Sequence, residues 1–380
     1  GVVNWIALRM LTGDASKYFG LVFGVTFASL LISQQLAIFC GLMLRTSSQI
    51  YDIQGADIWV MDPGVQFVDD IKPMSDSDLY RVRGVDGVAW AVRLYKGQAR
   101  SRFSDGKFQQ FLLLGLDDAT LVGAPREMVI GTLGDLRKPD AVIMDEGGYK
   151  YLWPGQPVEI GRTFEMNDRR AVLVGICKAS PTFQTFPIVY ARYSQATQFV
   201  PRERKLMSFI LADPSPGLSS KEVCERINRQ TGLLAKTRDE FIWTTIVYYM
   251  ERTGIPINFG ITVALGFIVG TAIAGQTFYL FVIENLRQFG TLKAMGVTNL
   301  QLMRMILLQA FVVALMGYGL GVGLAALFGE ANKNNETLAF YMPWQVLAVT
   351  GGAVFLICIL SSLLSIRRVL VLEPAIVFRG

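Results

Sequence analysis

The chain contains no histidine. That absence removes the usual general base, the commonest metal ligand and the side chain that titrates near neutral pH. Most hydrolase constellations go with it. Charge is also scarce, with 18% of residues charged and 52% hydrophobic, against about 25% and about 45–50% in soluble domains. Together with a mean hydropathy of +0.38, this balance points to a membrane protein. The formal net charge of +5 reads as Lys and Arg flanking membrane spans, not as a nucleic-acid footprint. Cysteine is rare, and Cys40, Cys177, Cys224 and Cys358 form no CxxC pair, so zinc and redox motifs are not expected. Cys40 and Cys358 sit in hydrophobic runs and read as buried apolar residues. Cys177 and Cys224 lie in a long polar segment, where they either form a disulfide, if that segment is extracytoplasmic, or remain buried thiols.

Four runs, 18–44, 258–283, 302–328 and 343–366, reach the roughly 20 apolar residues a bilayer span needs. The first is too long for a signal-peptide core and no small-residue cleavage site follows it, so it is expected to be a retained anchor. Arg9 and Lys17 precede the first run, Arg287, Lys293 and Arg304 lie between the second and third, and Arg367, Arg368 and Arg379 follow the fourth. The loop 329–341 has two acidic residues and one lysine. This bias predicts cytoplasmic termini, a cytoplasmic loop between the second and third spans, and an extracytoplasmic segment 45–255. No Asp, Glu, Lys or Arg lies deep in a span, which argues against proton- or ion-coupled transport. Gln34, Gln35 and Gln276 are polar groups within spans, read either as hydrogen-bonding a neighbouring helix or as touching substrate. Gly266-x-x-x-Gly270 and Gly319-x-x-x-Gly323 are close-packing motifs, serving either one subunit or a homodimer seam.

The outer segment reads as an α+β domain. "ADIWVM" (56–61) alternates like a strand, "SDSDLYRVRGV" reads as a helix capped by Ser75 or Ser77, and "GVAWAVRLYKGQARSRF" resumes a strand pattern. A second β-α-β unit runs through "LMSFILA" (206–212), "SSKEVCERINRQTG" (219–232) and "LLAKT" (233–237), suggesting a split or duplicated domain. Between them a mostly β insertion spans about 105–185, including a hairpin that turns at Asn167-Asp168. The stretch 238–254 reads as an amphipathic helix entering the second span, with Trp243, Tyr248 and Tyr249 expected to anchor it at the outer interface. Ser219-Ser220-Lys221 is a poor Ser–Lys dyad, because adjacent positions on a helix point apart.

Residues 284–300 are the most punctuated part of the membrane half. Leu286, Phe289, Leu292 and Met295 or Ala294 recur at helical spacing, giving one apolar face. Gly290 permits close backbone approach, Gly296 ends the helix and Thr298 caps the next. Residue chemistry leaves two readings: an interfacial loop with positive-inside charges, or a docking helix for a cytoplasmic partner.

"ENLRQFGTLKAMGVTNLQL" resembles the E-x-x-R-x-[IF]-G-x-x-x-A-x-G pattern of the FtsX/MacB/LolC superfamily of ABC transporter permeases. In that family the segment is a coupling helix seated in a groove of the ATPase. The resemblance carries this role to Glu284, Arg287, Phe289, Gly290, Ala294 and Gly296, with Lys293 beside them. Gln288 stands where an acidic residue is frequent. "LEPAIVFRG" (372–380) resembles the family's C-terminal ending, and "WIALRML" (5–11), within residues 1–17, resembles its amphipathic entry helix. The segment 45–97 is similar to the DevC-type permeases. The implied fold is a membrane α-helical protein with four transmembrane helices in a 1+3 arrangement. A large extracytoplasmic porter-like α+β domain is inserted between the first two, and a cytoplasmic tail covers 367–380.

No G-x-x-x-x-G-K-[ST] and no ABC signature are present; "SDGKF" (104–108) supplies only Gly-Lys. The chain is therefore expected to be non-catalytic and to bind no cofactor or metal itself, with ATP and magnesium used by a partner ATPase. The resemblance implies two ATPase copies, a second copy of the permease, a periplasmic membrane fusion protein of DevB/HlyD type, a TolC-like outer-membrane channel, membrane lipid, and no nucleic acid. It implies residence in a bacterial inner membrane and mechanotransmission-type export. The alternatives are lipoprotein or lipid extraction of LolC type, and FtsX-like regulation without transport.

Overall fold

A computed structural model describes residues 1–103, 105–200, 207–335 and 337–371. "LEPAIVFRG" therefore lies outside the described residues, as do Ser104 and Leu206. The chain divides into a membrane unit, 1–42 with 254–380, and an outer unit, 43–253.

The chain starts with α1 (Val2–Gly13) and α2 (Ala15–Thr46), and a short α3 (Ser48–Asp52) opens the outer unit. Strand β1 (Ile58–Met61) leads into α4 (Asp76–Arg83), where Ser75 and Asp78 form a capping box. The 15-residue β2 (Val88–Arg102) follows. Next come β3 (Phe108–Leu116), β4 (Glu127–Ile130), β5 (Ala141–Asp145), α5 (Glu146–Leu152), β6 (Thr163–Met166), β7 (Arg169–Lys178), β8 (Ile188–Arg192) and α6 (Tyr193–Ala196). The domain closes with β9 (Phe209–Pro214), α7 (Ser220–Thr231), β10 (Leu234–Thr237) and α8 (Arg238–Arg252). Asn167 and Asp168 both have positive φ, 49° and 64°, the geometry that a two-residue hairpin loop requires. The Ser219 hydroxyl accepts the Glu222 amide at 3.2 Å; it caps α7, which the left-handed Gly232 (φ 73°) ends.

The two β-α-β units interleave. Strands follow one another in the order β10-β1-β9-β2-β3-β8-β5-β7-β4, with β6 against β2 and β7. The first four are mutually antiparallel, which makes β1-α4-β2 and β9-α7-β10 the two halves of a ferredoxin-like split β-α-β sheet. The insertion is not a separate body. It continues the same sheet through the β2–β3 pair, and its strands run to Arg192, beyond the 105–185 expected. β1 is buried on both faces: Ile58 and Val60 pack with Leu79, Val223 and Ile227 under α4 and α7, while Trp59 and Met61 pack with Phe209 and Phe241 on the other face.

That topology decides the cysteines. Cys177 belongs to the core holding Trp59 and Cys224 to the core holding Ile58, so the sheet lies between them. All four cysteines are free thiols, and the Cys177–Cys224 disulfide alternative is overturned, since a bridge needs Cα atoms within about 7 Å. Burial pushes the Cys224 thiol up to about 12 and raises Cys177 further still. Both are expected to resist iodoacetamide at pH 8 in the folded protein and to react on unfolding, because the thiolate is the nucleophile. Peptide mass spectrometry of alkylated sites checks this; rapid native labelling of either would contradict it.

In the membrane unit, α9 (Ile255–Glu284), α10 (Leu286–Ala294), α11 (Asn299–Ala331) and α12 (Trp344–Leu370) follow. Four helices, α2, α9, α11 and α12, are long and apolar enough to span a bilayer. Thr298 and Gln301 form a capping box at the start of α11. Gly266 and Gly270 face α2 in the same chain, where added Cβ atoms would lie 2.9 Å from Leu31 and 2.4 Å from Ala28. Gly319 and Gly323 have nothing within 4 Å; their neighbours Gly317 and Gly321 make the close approach, to Val25 and Ser29 of α2. Gln34 and Gln35 are half-buried, and Gln276 is exposed. A glutamine not singled out from the sequence does the joining: buried Gln309 donates its Nε2 to the Ala7 carbonyl at 2.9 Å, tying α11 to α1.

Candidate docking surface and the outer joint

α10 is a nine-residue helix held from one side. It begins one residue after α9 ends, Asn285 serving both as C-cap of one and N-cap of the other. Phe289 is fully buried in the membrane-unit core and Gly290 is buried beside it. Leu286, Leu292 and Val297 pack against the same core. Lys293 donates Nζ to the Leu370 carbonyl at 3.0 Å, capping the last turn of α12. Glu284 forms an ion pair with Lys17 at the start of α2. Phe289, Gly290 and Lys293 thus hold α10 to the rest of its own unit, while Glu284, the last residue of α9, ties that helix to α2. Phe289 and Gly290 face the interior of the unit, so their part in α10 is to seat it.

Arg287, Gln288, Thr291, Ala294 and Gly296 are exposed. So are Met295, at 76%, and Leu300, at 65%. Ala294 and Met295 do not continue the apolar face. The helix ends at Ala294, and a turn through Met295 and Gly296 (φ 99°) leaves these two residues outside before Val297 returns to the core. Apolar side chains fully exposed at a helix turn beside an arginine make a surface suited to a protein partner. The apolar period of the sequence includes Met295, and nothing in it marks Met295 or Leu300 as exposed.

In the outer unit a second cluster joins the segment leaving α2 to the segment entering α9. Arg238, the first residue of α8, donates Nε to the Ile50 and Ile53 carbonyls at 3.3 and 3.1 Å and Nη2 to the Tyr51 carbonyl. The Tyr51 ring carries two guanidiniums, Arg126 at 4.3 Å and Arg238 at 5.2 Å from its centroid. Asp52 accepts the Ser180 amide and hydroxyl at 2.8 and 2.6 Å. Further along α8, Phe67 stacks on Tyr248 at 3.9 Å, and Tyr249 packs against Phe67 and Phe183. Tyr248 and Tyr249 therefore fasten the loop after β1 to α8; Trp243 is 63% exposed. The same loop holds a buried charge: the Lys96 ammonium pairs with Asp69 and donates to the Val68 carbonyl at 3.2 Å.

Residues 260–374, which contain α9 to α12, match the FtsX-like permease C-terminal family. Over the whole chain, an uncharacterized ABC transporter permease of Mycobacterium tuberculosis (strain ATCC 25618 / H37Rv) is 25% identical across 393 residues, covering 100% of this chain and 97% of the relative. The chain carries an FtsX-like permease domain and is similar along its whole length to an ABC transporter permease. The permease is also similar to the macrolide export ATP-binding/permease protein MacB of Salmonella paratyphi A, with 20% identity over 251 residues, 62% of this chain and 38% of MacB. Among solved structures, the periplasmic region of MacB from Actinobacillus actinomycetemcomitans covers 51% of the permease and 94% of that chain at a TM-score of 0.38 and 16% identity. The extracellular domain of the transporter YknZ from Gram-positive bacteria covers 48% and 98%, with a TM-score of 0.34 and 13% identity.

Proposed function

We propose that the permease is the membrane subunit of a mechanotransmission-type ABC exporter and that a separate ATPase seats on the exposed side of α10. The carrying observation is the division of the α10 segment: Phe289, Gly290 and Lys293 lock the helix to its own unit, while Arg287 on it, Met295 in the turn after it and Leu300 at the start of α11 are exposed. A partner pushing on such a helix moves the whole bundle, because packed cores transmit displacement without absorbing it. In this reading α10 and both termini are cytoplasmic, and two copies of the permease pair, each with one ATPase that uses ATP and magnesium. Movement passes to the outer unit along the two chain crossings, in α2 and between α8 and α9, and within that unit Arg238 at the start of α8 ties α8 to the α3 segment that follows α2. A periplasmic adaptor of membrane-fusion type and an outer-membrane duct then receive the substrate.

The test is a pull-down from detergent-solubilised membranes of the source cell. Wild type is expected to bring down an ABC ATPase and an adaptor. The double variant Arg287→Glu/Met295→Asp, which alters only exposed side chains, is expected to lose the ATPase by tenfold or more, as removal of interface anchors does, while keeping the adaptor and its own melting temperature. Wild type that brings down no ATPase sinks the reading.

A further inference from the structure

Gln276 is a polar group on an otherwise greasy surface. It is exposed on α9, next to the outward-facing Ile273 and Leu280, and among the described residues no partner holds its amide. A lone amide facing hydrocarbon is costly, so something of matching chemistry is to be expected beside it. Gly275, Gln276 and Tyr279 of α9, with Arg367, Arg368 and Val371 at the end of α12, line one open groove of about 640 Å³. Above it the helices close up, since a Cβ on Gly275 would lie 3.8 Å from the Ser361 hydroxyl.

The groove's chemistry is one-sided. Two guanidiniums, a phenol and an amide all offer donors, and among the described residues no carboxylate lines it. At about 1.5 Å per residue, Gln276 sits about 12 Å along α9 from its end at Glu284. The 30 residues of α9 are about 45 Å long against a hydrocarbon core of about 30 Å, so its last turns extend toward the headgroup level that long arginine side chains reach by snorkelling. The walls of α9 on either side are lipid-facing leucine and isoleucine, which suits acyl chains and not a soluble anion. We propose that this groove binds the phosphate of an anionic phospholipid in the leaflet at which α10 lies, Arg367 and Arg368 holding the phosphate oxygens and Gln276 and Tyr279 the oxygens above them. Basic pockets between helices commonly take such headgroups. The proposal is independent of what docks on α10.

Native mass spectrometry of the purified, delipidated permease tests it, with phosphatidylglycerol, phosphatidylcholine or inorganic phosphate added separately. Wild type is expected to retain phosphatidylglycerol well above phosphatidylcholine. Arg367→Gln/Arg368→Gln is expected to lower that retention roughly fivefold per arginine. Gln276→Leu/Tyr279→Phe, which leaves the charge unchanged, is expected to lower it several-fold. The charge-matched control Arg9→Gln/Arg304→Gln, outside the groove, is expected to leave it unaltered, and melting temperatures show that each variant is folded. The proposal is overturned by equal retention of the two lipids, by no effect of the Gln276 and Tyr279 changes, or by an equal loss in the control. Inorganic phosphate binding as tightly as the lipid, and lost with the arginines, would make the groove a soluble-anion site and overturn the lipid assignment.

Discussion

Leucine at Gly321 is expected to prevent the membrane unit from folding, whereas alanine at Gly323 is expected to be harmless. A Cβ at Gly321 would stand 2.5 Å from the Ser29 Cβ and 2.7 Å from the Leu30 backbone nitrogen; at Gly317 it would stand 2.3 Å from Val25 Cγ1 and 3.2 Å from the Thr26 nitrogen. A side chain can rotate away, but the backbone of α2 cannot move without opening its own contacts with α9. Overpacking alone costs about 1–3 kcal/mol, and a leucine against backbone exceeds that range. Ser29 would also lose its hydrogen bond to the Tyr318 carbonyl, 3.3 Å. Gly319 and Gly323 meet nothing within 4 Å, so alanine there is expected to be neutral or to stabilise by up to about 1 kcal/mol through helix propensity. Thermal unfolding of the four alanine variants and Gly321→Leu in detergent reads this directly. Equal damage at Gly321 and Gly323 would refute the packing.

Asparagine at Asp69 is expected to destabilise the outer unit by about 3 kcal/mol, because it strands a buried ammonium. Lys96 is only 2% exposed in the middle of β2, and Asp69 is its counter-charge. Burial depresses the Lys96 ammonium below the ordinary lysine range, against the pull of Asp69. With Asp69 neutralised that pull is gone and the depression deepens. The unfolded chain then binds the lysine proton more tightly than the folded one, so the stability of Asp69→Asn rises as pH climbs toward the ordinary lysine value of about 10.4. Lys96→Met in the same background removes both the stranded charge and this pH dependence, recovering most of the loss. Urea unfolding across pH checks both parts. If Asp69→Asn unfolds like wild type at pH 7, Lys96 finds its compensation elsewhere.

The four spans were readable because a run of more than twenty apolar residues has few alternative meanings. The glycine offset was not. In "GYGLGVGLAA", positions 317, 319, 321 and 323 are all glycine, and residues two apart sit on opposite sides of a helix. The pattern therefore offers two equally good faces, and only the position of α2 selects 317 and 321. The segment 284–300 was marked by its motif, but which of its residues are buried was hidden: the apolar period runs on to Met295, while the helix stops at Ala294. Local signals gave each β-α-β unit; their interleaving depends on pairings far apart in sequence, which short strands do not announce. Cys177 and Cys224 likewise carried no sign that a sheet separates them.

Strand β1 pairs with β9 and β10 alone, Ile58 opposite Ala212 and Thr237. Both partners are synthesised roughly 150 to 180 residues later, so β1 waits with two open hydrogen-bonding edges while the insertion forms. Such distant pairing is slow, since loop closure precedes any gain from contact. Until residue 237 has been delivered, the sequence Ile58–Met61 is an apolar strand open to wrong partners. A truncation between β8 and β9 is consequently expected to leave Ile58–Met61 with neither partner and the fragment prone to aggregate, so one short strand stays unpaired until the end of its own domain arrives.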